Sequence, residues 1–453
     1  MSPPIVRFAP SPTGLLHVGN ARTALLNALF ARREGGTFIL RLDDTDRARS
    51  EERFVAAIEE DLAWLGIPPD RLARQSARTT HYEETLARLR AAGRVYACYE
   101  TEEELEFRRR RQLAAHQPPV YDRAALKLTD AERAKLEAEG KKPYFRFQLE
   151  RKKMAWDDLV RSRIEIDTTS LSDPVVRRAD GTWLYTLTSV IDDVEMGVSH
   201  IIRGEDHLTN SATQVEMFEA LGAKLPRFAH HNLLTLPGGE GMSKRLGHLS
   251  LQGLRAEGLE PLAVASAAVL VGTAEAVEPV QSLDMLAAKI DFARISRGPA
   301  RFDPADLEAL TARTLHAMPF ASAAPRLEKL GVAGGSSFWE AVRGNLSRLD
   351  EAALWWRVAS EAISPALSAA DLEICKSAAA ALPPEPWNEA TWEKANWDAF
   401  VETIKKATGK SGRALFHPLR IALTGEERGP ELRGLLPFIG RARAVARLRG
   451  ERA

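Results

Sequence analysis

Residues 7–22 read R-F-A-P-S-P-T-G-L-L-H-V-G-N-A-R. Ile5 to Phe8 have the apolar character of a buried strand end. Pro10 and Pro12 forbid a helix and hold the chain extended. Gly14 and Gly19 allow backbone to approach a ligand closely. From about Gly19, Ala21, Ala24, Leu25, Ala28 and Leu29 recur at helical spacing on one face. Strand, tight loop and helix mouth together predict a phosphate site, with free N–H groups and the helix dipole turned toward negative charge. His17, just before the helix, can donate to a phosphate oxygen. Arg7 and Arg22 flank the element.

Working outward, residues 38–42 read as a strand ending in the acidic R-L-D-D-T-D of residues 41–46. Phe54, Ile58, Leu62 and Leu65 predict a helix stopped by Gly66 and Pro68. A second amphipathic helix over 81–92 ends at Gly93 and leads into a strand over 95–99. Alternating strand and helix is the rhythm of a parallel α/β sheet. From residue 101 to 140 charged helices replace it, with the run Arg108 to Arg111, most simply a solvated helix face. Strands are expected over 144–149 and 163–167. The alternation resumes near Trp183, with a strand at 201–203 and a helix over 210–221. Beyond about residue 241 the chain reads as almost wholly helical, broken by Pro and Gly near 297–303.

The chain has 453 residues, enough for about three domains. Its 62 basic and 62 acidic side chains cancel, so a nucleic-acid partner would need local basic surfaces. Two cysteines, Cys98 and Cys375, exclude a disulfide framework and a cysteine-rich zinc site. The longest apolar run, 262–272, is too short for a bilayer and predicts a buried helix. The expectation is a soluble cytoplasmic protein.

Residues 236–247 read L-P-G-G-E-G-M-S-K-R-L-G. Such glycine content predicts a mobile loop carrying Ser243, Lys244 and Arg245. These cations can close over a polyphosphate and neutralise charge developing as it breaks. Residues 407–412, A-T-G-K-S-G, imitate a P-loop, but Ile404 stands where its first glycine belongs, so a basic turn is expected.

H-V-G-N at 17–20 is similar to the H-I-G-H motif of class I aminoacyl-tRNA synthetases, and M-S-K-R at 242–245 to their K-M-S-K-S motif. A-P-S-P-T-G (9–14), L-D-D-T-D (42–46), I-I-R-G-E-D (201–206) and the stretch 408–425 resemble the bacterial glutamyl branch. The resemblance runs through nearly the whole chain in order. It implies an α/β Rossmann-like class I synthetase catalytic domain with a connective insertion, followed by an all-α C-terminal anticodon-binding domain. Boundaries are expected as a split catalytic domain at 1–95 and 186–240, an acceptor-end insertion at 96–185, a stem-contact region at 241–310 and an anticodon domain at 311–453.

By the same resemblance, Arg7, Ala9, Ser11, Asp43, Tyr185 and Arg203 would bind glutamate. The arginines would take its side-chain carboxylate, which suits a guanidinium fork. Asp43 would take the ammonium. His17, Gly19, Asn20, Ser243, Lys244 and Arg245 would bind ATP, supplied with Mg2+, His17 and Lys244 being catalytic. Lys410, Arg413 and Arg420 are expected to meet tRNA. Arg441, Arg443, Arg447 and Arg449 share the basic C-terminal stretch, whose excess of bases over acids favours RNA contact over solvated helix charges. The implied reaction is glutamyl-adenylate formation followed by transfer to tRNA(Glu), with tRNA(Gln) left open as a second acceptor. No membrane partner, no structural zinc and a monomer are expected.

Some positions depart from the family pattern: Asn20 for the last His, Gly241 for the first Lys, Asp43 where many relatives have Glu, and Ser189 where some have Asn. Three rivals are weaker. Glutaminyl enzymes usually carry P-P-E-P-N-G at 9–14, the truncated glutamyl-queuosine enzyme lacks an anticodon domain, and a non-catalytic RNA- or nucleotide-binding paralogue would not need His17, Lys244, Arg7 and Arg203 together.

Overall fold

In the computed structural model, which describes residues 2–239, 249–388 and 391–453, the chain divides into two compact units, Met1–Glu257 with Val264–Asp303 and Gly258–Ala263 with Pro304–Ala453. The first opens with β1 (Ile5–Phe8), α1 (Val18–Arg33), β2 (Thr37–Leu42), α2 (Glu52–Trp64), β3 (Arg71–Arg74), α3 (Thr79–Ala91) and β4 (Val95–Cys98). Then come α4 (Glu102–Ala114), α5 (Asp130–Ala138), β5 (Tyr144–Phe147), β6 (Lys153–Asp158), β7 (Ser162–Asp167) and β8 (Val175–Arg177). It closes with α6 (Tyr185–Glu195), β9 (His200–Gly204), α7 (Leu208–Ala220), β10 (Arg227–His231), β11 (Leu234–Thr235), α8 (Leu251–Ala256), α9 (Pro261–Leu270), α10 (Leu283–Ala288) and β12 (Ala300–Arg301).

β1 pairs in parallel with β2, and β2 with β3. β10 pairs in parallel with β9 and β6, and β7 closes that sheet antiparallel to β6. Ser199 N donates to Ile5 O at 2.9 Å, stitching the start of β9 to β1. Two sheets, ordered β3-β2-β1 and β9-β10-β6-β7, thus meet along β1 and β9. Connections leave β1 and β9 in opposite directions, which opens a crevice at their carboxyl ends, where ligands of such sheets sit. Val6, Phe38, Leu40, Leu42 and Ile202 are each nearly or wholly buried, because helices cover both faces of a mostly parallel sheet. α1 lies against β1 with Ala21, Ala24, Leu25 and Leu29 fully buried, the face its spacing predicts.

Two sequence expectations change. The strand at 95–99 does not continue the parallel rhythm. β4 pairs antiparallel with β5, which pairs antiparallel with β8, in a separate sheet. Its alternating Tyr96, Cys98 and Tyr144 pack on Tyr121 and Ala125, a satellite core the local pattern could not assign. The stretch 96–185 also contains β6, which sequence reasoning did not mark. Met154, Trp156 and Asp158 alternate inward, but Lys152, Lys153, Asp157 and Asp158 mask the apolar signal. β6 and β7 join the sheet that carries β9 and β10.

The second unit is helical: α11 (Pro304–Ala317), α12 (Phe320–Lys329), α13 (Gly335–Val342), α14 (Glu351–Ser360), α15 (Ala369–Ala381), α16 (Lys394–Thr408), α17 (Arg413–Thr424), α18 (Leu432–Ile439) and α19 (Arg441–Leu448). Trp339, Phe338, Leu415, Leu435 and Leu448 anchor its core. Residues 409–412, within the P-loop look-alike, form the turn between α16 and α17, with Gly409 in the left-handed region (φ +64) capping α16. Among the described residues no helix is long and apolar enough to cross a membrane.

Candidate active site

The mouth of α1 is closed differently from the expectation of free N–H groups. His17 is its N-cap, and His17 Nδ1 accepts from Gly19 N (3.0 Å) and Asn20 N (3.3 Å). Asn20 Oδ1 reaches back to accept from His17 N at 3.1 Å, so the two side chains form a capping box. This uses donors otherwise open to a phosphate, yet it sets the imidazole. Burial lowers the His17 pKa, so the ring is neutral near pH 7. With Nδ1 accepting, the proton resides on Nε2, leaving one outward donor of fixed direction. Arg22 is also redirected. It is fully buried and its guanidinium meets Ala268 O (2.7 Å), Val271 O (2.8 Å) and Asn232 Oδ1, so it caps the carboxyl end of α9.

Behind the crevice lies a chain of buried charges. Arg7, on β1, places Nε at 3.0 Å and Nη2 at 3.3 Å from the two Asp193 oxygens. Asp193, on α6, also accepts from Arg41 Nη1 at 2.8 Å. Arg41 in turn grips Asp43 through Nε (2.7 Å) and Nη2 (3.2 Å) and reaches Ser189 Oγ at 3.0 Å. Burial pushes the Asp43 carboxyl up to about 6, against the pull of Arg41. Sequence reasoning did not mark Arg41 or Asp193. Arg41 had a signal: two residues from Asp43 along an extended strand, it shares the same face. Asp193 had none, lying 186 residues from Arg7 and 152 from Arg41.

Arg203, at the end of β9, is unlike Arg7. Among the described residues its bonded partners are Ser211 Oγ (2.6 Å), Gln214 Oε1 (2.7 Å) and His230 Nε2 (3.5 Å), none of them a carboxylate. Burial, with Arg7 repelling it, lowers its pKa to about 10. Tyr185 Oη lies 3.3 Å from His207 Nδ1 at the same rim. His231, beside it, is held neutral: burial lowers its pKa to about 3, and its ring bonds Thr23 Oγ1 (3.0 Å) and Asn232 O (3.0 Å).

One cavity of about 400 Å³ gathers these groups: Arg7, Ala9, His17, Gly19, Asn20, Asp43, Tyr185 and Arg203 all line it. So do Arg41, Asp206, His207 and Asn232, which sequence reasoning missed. Ser11 does not; it is exposed, between Pro10 and Pro12. Gly241, Ser243, Lys244 and Arg245 lie outside the described residues. On one flank of that stretch Leu234 lines the cavity, and on the other Ser250 bridges His17, with Leu251 N donating to Leu16 O at 2.8 Å.

In the helical unit Lys410 and Arg413 are exposed beside a groove bounded by α15, α16 and α17. Arg420 is half-buried and bonds Pro430 O (3.0 Å). Arg441 and Arg443 likewise bond carbonyls, of Pro383 and Ala359. Arg447 is wholly buried on the carbonyls of Val358, Glu361, Leu423 and Ala453, so it fits neither a solvated charge nor an RNA contact. It caps helix ends, where carbonyls lack intrahelical donors.

Residues 5–309 match the family model described as tRNA synthetases class I (E and Q), catalytic domain, and residues 356–451 match an anticodon binding domain. A protein of Xanthobacter autotrophicus named glutamate–tRNA ligase 2 is 62% identical over 449 residues, 99% of this chain and 97% of the relative. Glutamate–tRNA ligase 1 of Chelativorans sp. is 52% identical over 98% of this chain and 99% of its own length. The crystal structure of a glutamate tRNA ligase from Elizabethkingia meningosepticum in complex with its amino acid superposes with a TM-score of 0.81, at 26% identity, over 99% of this chain and 98% of that one.

Proposed function

The chain belongs to the class I tRNA synthetases of the glutamate and glutamine type, and from that premise we propose how its residues carry out one reaction. It is a glutamate–tRNA ligase: it joins L-glutamate to tRNA at the expense of ATP. The observation that carries the choice of amino acid is Arg203, a buried guanidinium facing the cavity whose acceptors among the described residues are neutral. Such a group calls for an anion from outside. The substrate's side-chain carboxylate supplies it, joined by Arg7 Nη1, which Asp193 does not engage. Glutamine's amide carries no charge and would bring N–H donors against N–H donors.

Asp43 takes the α-ammonium, with Tyr185 and Ala9 bounding the backbone of the amino acid. Ser11, exposed, is left to act only if the loop moves. ATP, as its magnesium complex, lies along α1, where His17 Nε2–H donates to a phosphate oxygen and Gly19 and Asn20 form the floor. The glutamate α-carboxylate attacks the α-phosphorus; the bond to the bridging oxygen breaks and pyrophosphate leaves. Lys244, with Ser243 and Arg245, stabilises that charge. A ribose hydroxyl of the terminal tRNA adenosine then attacks the activated carbonyl, and AMP leaves. The protein supplies position and charge, with no covalent nucleophile. Lys410 and Arg413 are the tRNA contacts in the anticodon-binding region, Arg420 a weaker one; tRNA(Gln) is a second acceptor to be tested. Cys98 stands among tyrosines rather than thiolates, 3.7 Å from the Tyr121 hydroxyl, so we assign no structural zinc; stoichiometric zinc by elemental analysis would overturn this. The protein acts as a cytoplasmic monomer.

ATP–pyrophosphate exchange decides the central claim. Exchange dependent on glutamate, with tRNA(Glu) present, is expected. Exchange supported equally by glutamine would favour the glutaminyl reading, and none with either amino acid a non-catalytic paralogue.

A further inference from the structure

Arg203 rests on three elements at once. Ser211 and Gln214 stand one turn apart on α7 and face it together. His230 is its direct partner in the parallel register of β9 and β10. Behind His230, at the end of β6, the Asp158 carboxylate lies 2.6 Å from Nδ1 and accepts from the backbone N–H groups of Val160 (2.9 Å) and Arg161 (3.0 Å). A carboxylate at that distance requires a proton on Nδ1, so the neutral ring offers Nε2 as an acceptor. Ser211 Oγ lies 2.6 Å from Nε2 and 3.1 Å from His207 O, and the shorter contact takes its proton. Its lone pairs then turn toward Arg203 Nη2.

Asp, His and Ser in line have the outline of a hydrolytic triad. Ser211 and His230 are wholly buried and Asp158 nearly so, and the hydroxyl oxygen is occupied by Arg203. Buried in this way, the hydroxyl is closed to a substrate carbonyl. The relay orients a guanidinium instead.

The contrast with Arg7 gives the relay its purpose. Arg7 is held by a carboxylate, Asp193, and its charge is compensated inside the protein. Arg203 is held just as firmly by oxygens and a nitrogen without charge. We propose that Ser211, Gln214 and His230, the last set in its tautomer by Asp158, are positioning residues that fix the Arg203 fork without a carboxylate in direct contact, and that this neutral first contact sets the preference for an acidic over an amide side chain. The inference rests on the glutamate reading above.

Gln214→Glu tests it by putting a carboxylate oxygen of nearly the same shape in place of Nε2, which donates to Thr186 O at 3.2 Å. A carboxylate at this position pairs with Arg203 internally. In exchange assays with tRNA(Glu), the KM for glutamate should rise about thirtyfold or more, from the loss of one charge-assisted contact. The preference for glutamate over glutamine should shrink, while the KM for ATP stays unchanged. Ser211→Ala should raise the glutamate KM about tenfold, and Ser211→Thr, which restores a hydroxyl, should recover most of it. A group that merely fills space would move stability and both substrates together. If Gln214→Glu does not fold, the Ser211→Ala and Ser211→Thr pair decides alone. Wild-type protein inert toward glutamate would overturn the ligase reading itself. Active wild type whose variants keep the wild-type glutamate KM and amino-acid preference would overturn this inference only.

Discussion

Replacing Arg203 by methionine separates its role in recognition from its role in stability. In the free protein the guanidinium is 7% exposed, and burial brings its pKa down to about 10. At 1.36 kcal/mol per tenfold, a depression of that size represents on the order of 3 kcal/mol of unfavourable charge burial at neutral pH. The sign follows from linkage: a cation whose folded pKa is depressed weakens the fold wherever it is charged in both states, which includes pH 7. Methionine removes that burden with a side chain of similar reach. It also leaves Gln214 Oε1 without its donor, at a cost of about 1–3 kcal/mol. The two effects oppose each other, so global stability should change by no more than about 2 kcal/mol. Recognition has no such offset. Loss of one partner from a desolvated ion pair costs about 3–5 kcal/mol, which is a hundred- to a few-thousand-fold in kcat/KM for glutamate. The assays are chemical denaturation of the free protein and exchange kinetics at varied glutamate. A variant that unfolds readily but retains its glutamate KM would refute the reasoning, because it would make Arg203 a structural cation.

Other outcomes follow from the same geometry. Asp43 carries a carboxyl raised to about 6, so kcat/KM for glutamate should fall as pH drops through about 6; a profile flat to pH 5 would remove Asp43 from the ammonium site. The sign for stability is opposite, since a raised carboxyl favours the folded protein when protonated and its contribution improves as pH falls from 6 toward 4. Asp193→Asn strips the buried counter-ion shared by Arg7 and Arg41, and a loss of about 3–5 kcal/mol in denaturant unfolding is expected. Lys244→Ala should lower adenylate formation far more than glutamate affinity, read by single-turnover kinetics; an unchanged activation rate would end its assigned role. In the helical unit Arg447→Met should destabilise by unfolding assay yet leave the salt dependence of tRNA binding alone, whereas Lys410→Ala with Arg413→Ala should make that dependence shallower by about two phosphate contacts.

Much of this site was visible in the linear chain because several devices are local. The strand, prolines, glycines and helix mouth of residues 7–22 lie within one stretch, and the placement of His17, Arg7 and Ala9 on one cavity follows from it. Arg41 was readable from its two-residue spacing to Asp43. Other assignments exceeded what local pattern carries. Arg22 and Arg447 looked like surface or ligand cations, but each is buried on backbone carbonyls. Residue type alone cannot distinguish a cation that meets phosphate from one that meets the carboxyl end of a helix, since both targets are clusters of oxygen. β6 was hidden because its charged residues are satisfied inside the fold, Asp158 by His230 and backbone amides.

By itself the sequence determined the elements that depend on neighbours a few residues apart: the first α/β alternation, the helix stops at Gly66 and Gly93, the turn at 409–412, and the order of motifs that marks the family. Tertiary structure alone decided the electrostatics of the site. Arg203 meets neutral partners and Arg7 meets Asp193 because parallel strands and the helices packed on them bring residues from distant segments together at the carboxyl ends of β1 and β9. A charge's effective strength depends on which groups surround it after burial, and that surrounding does not exist until the chain has closed.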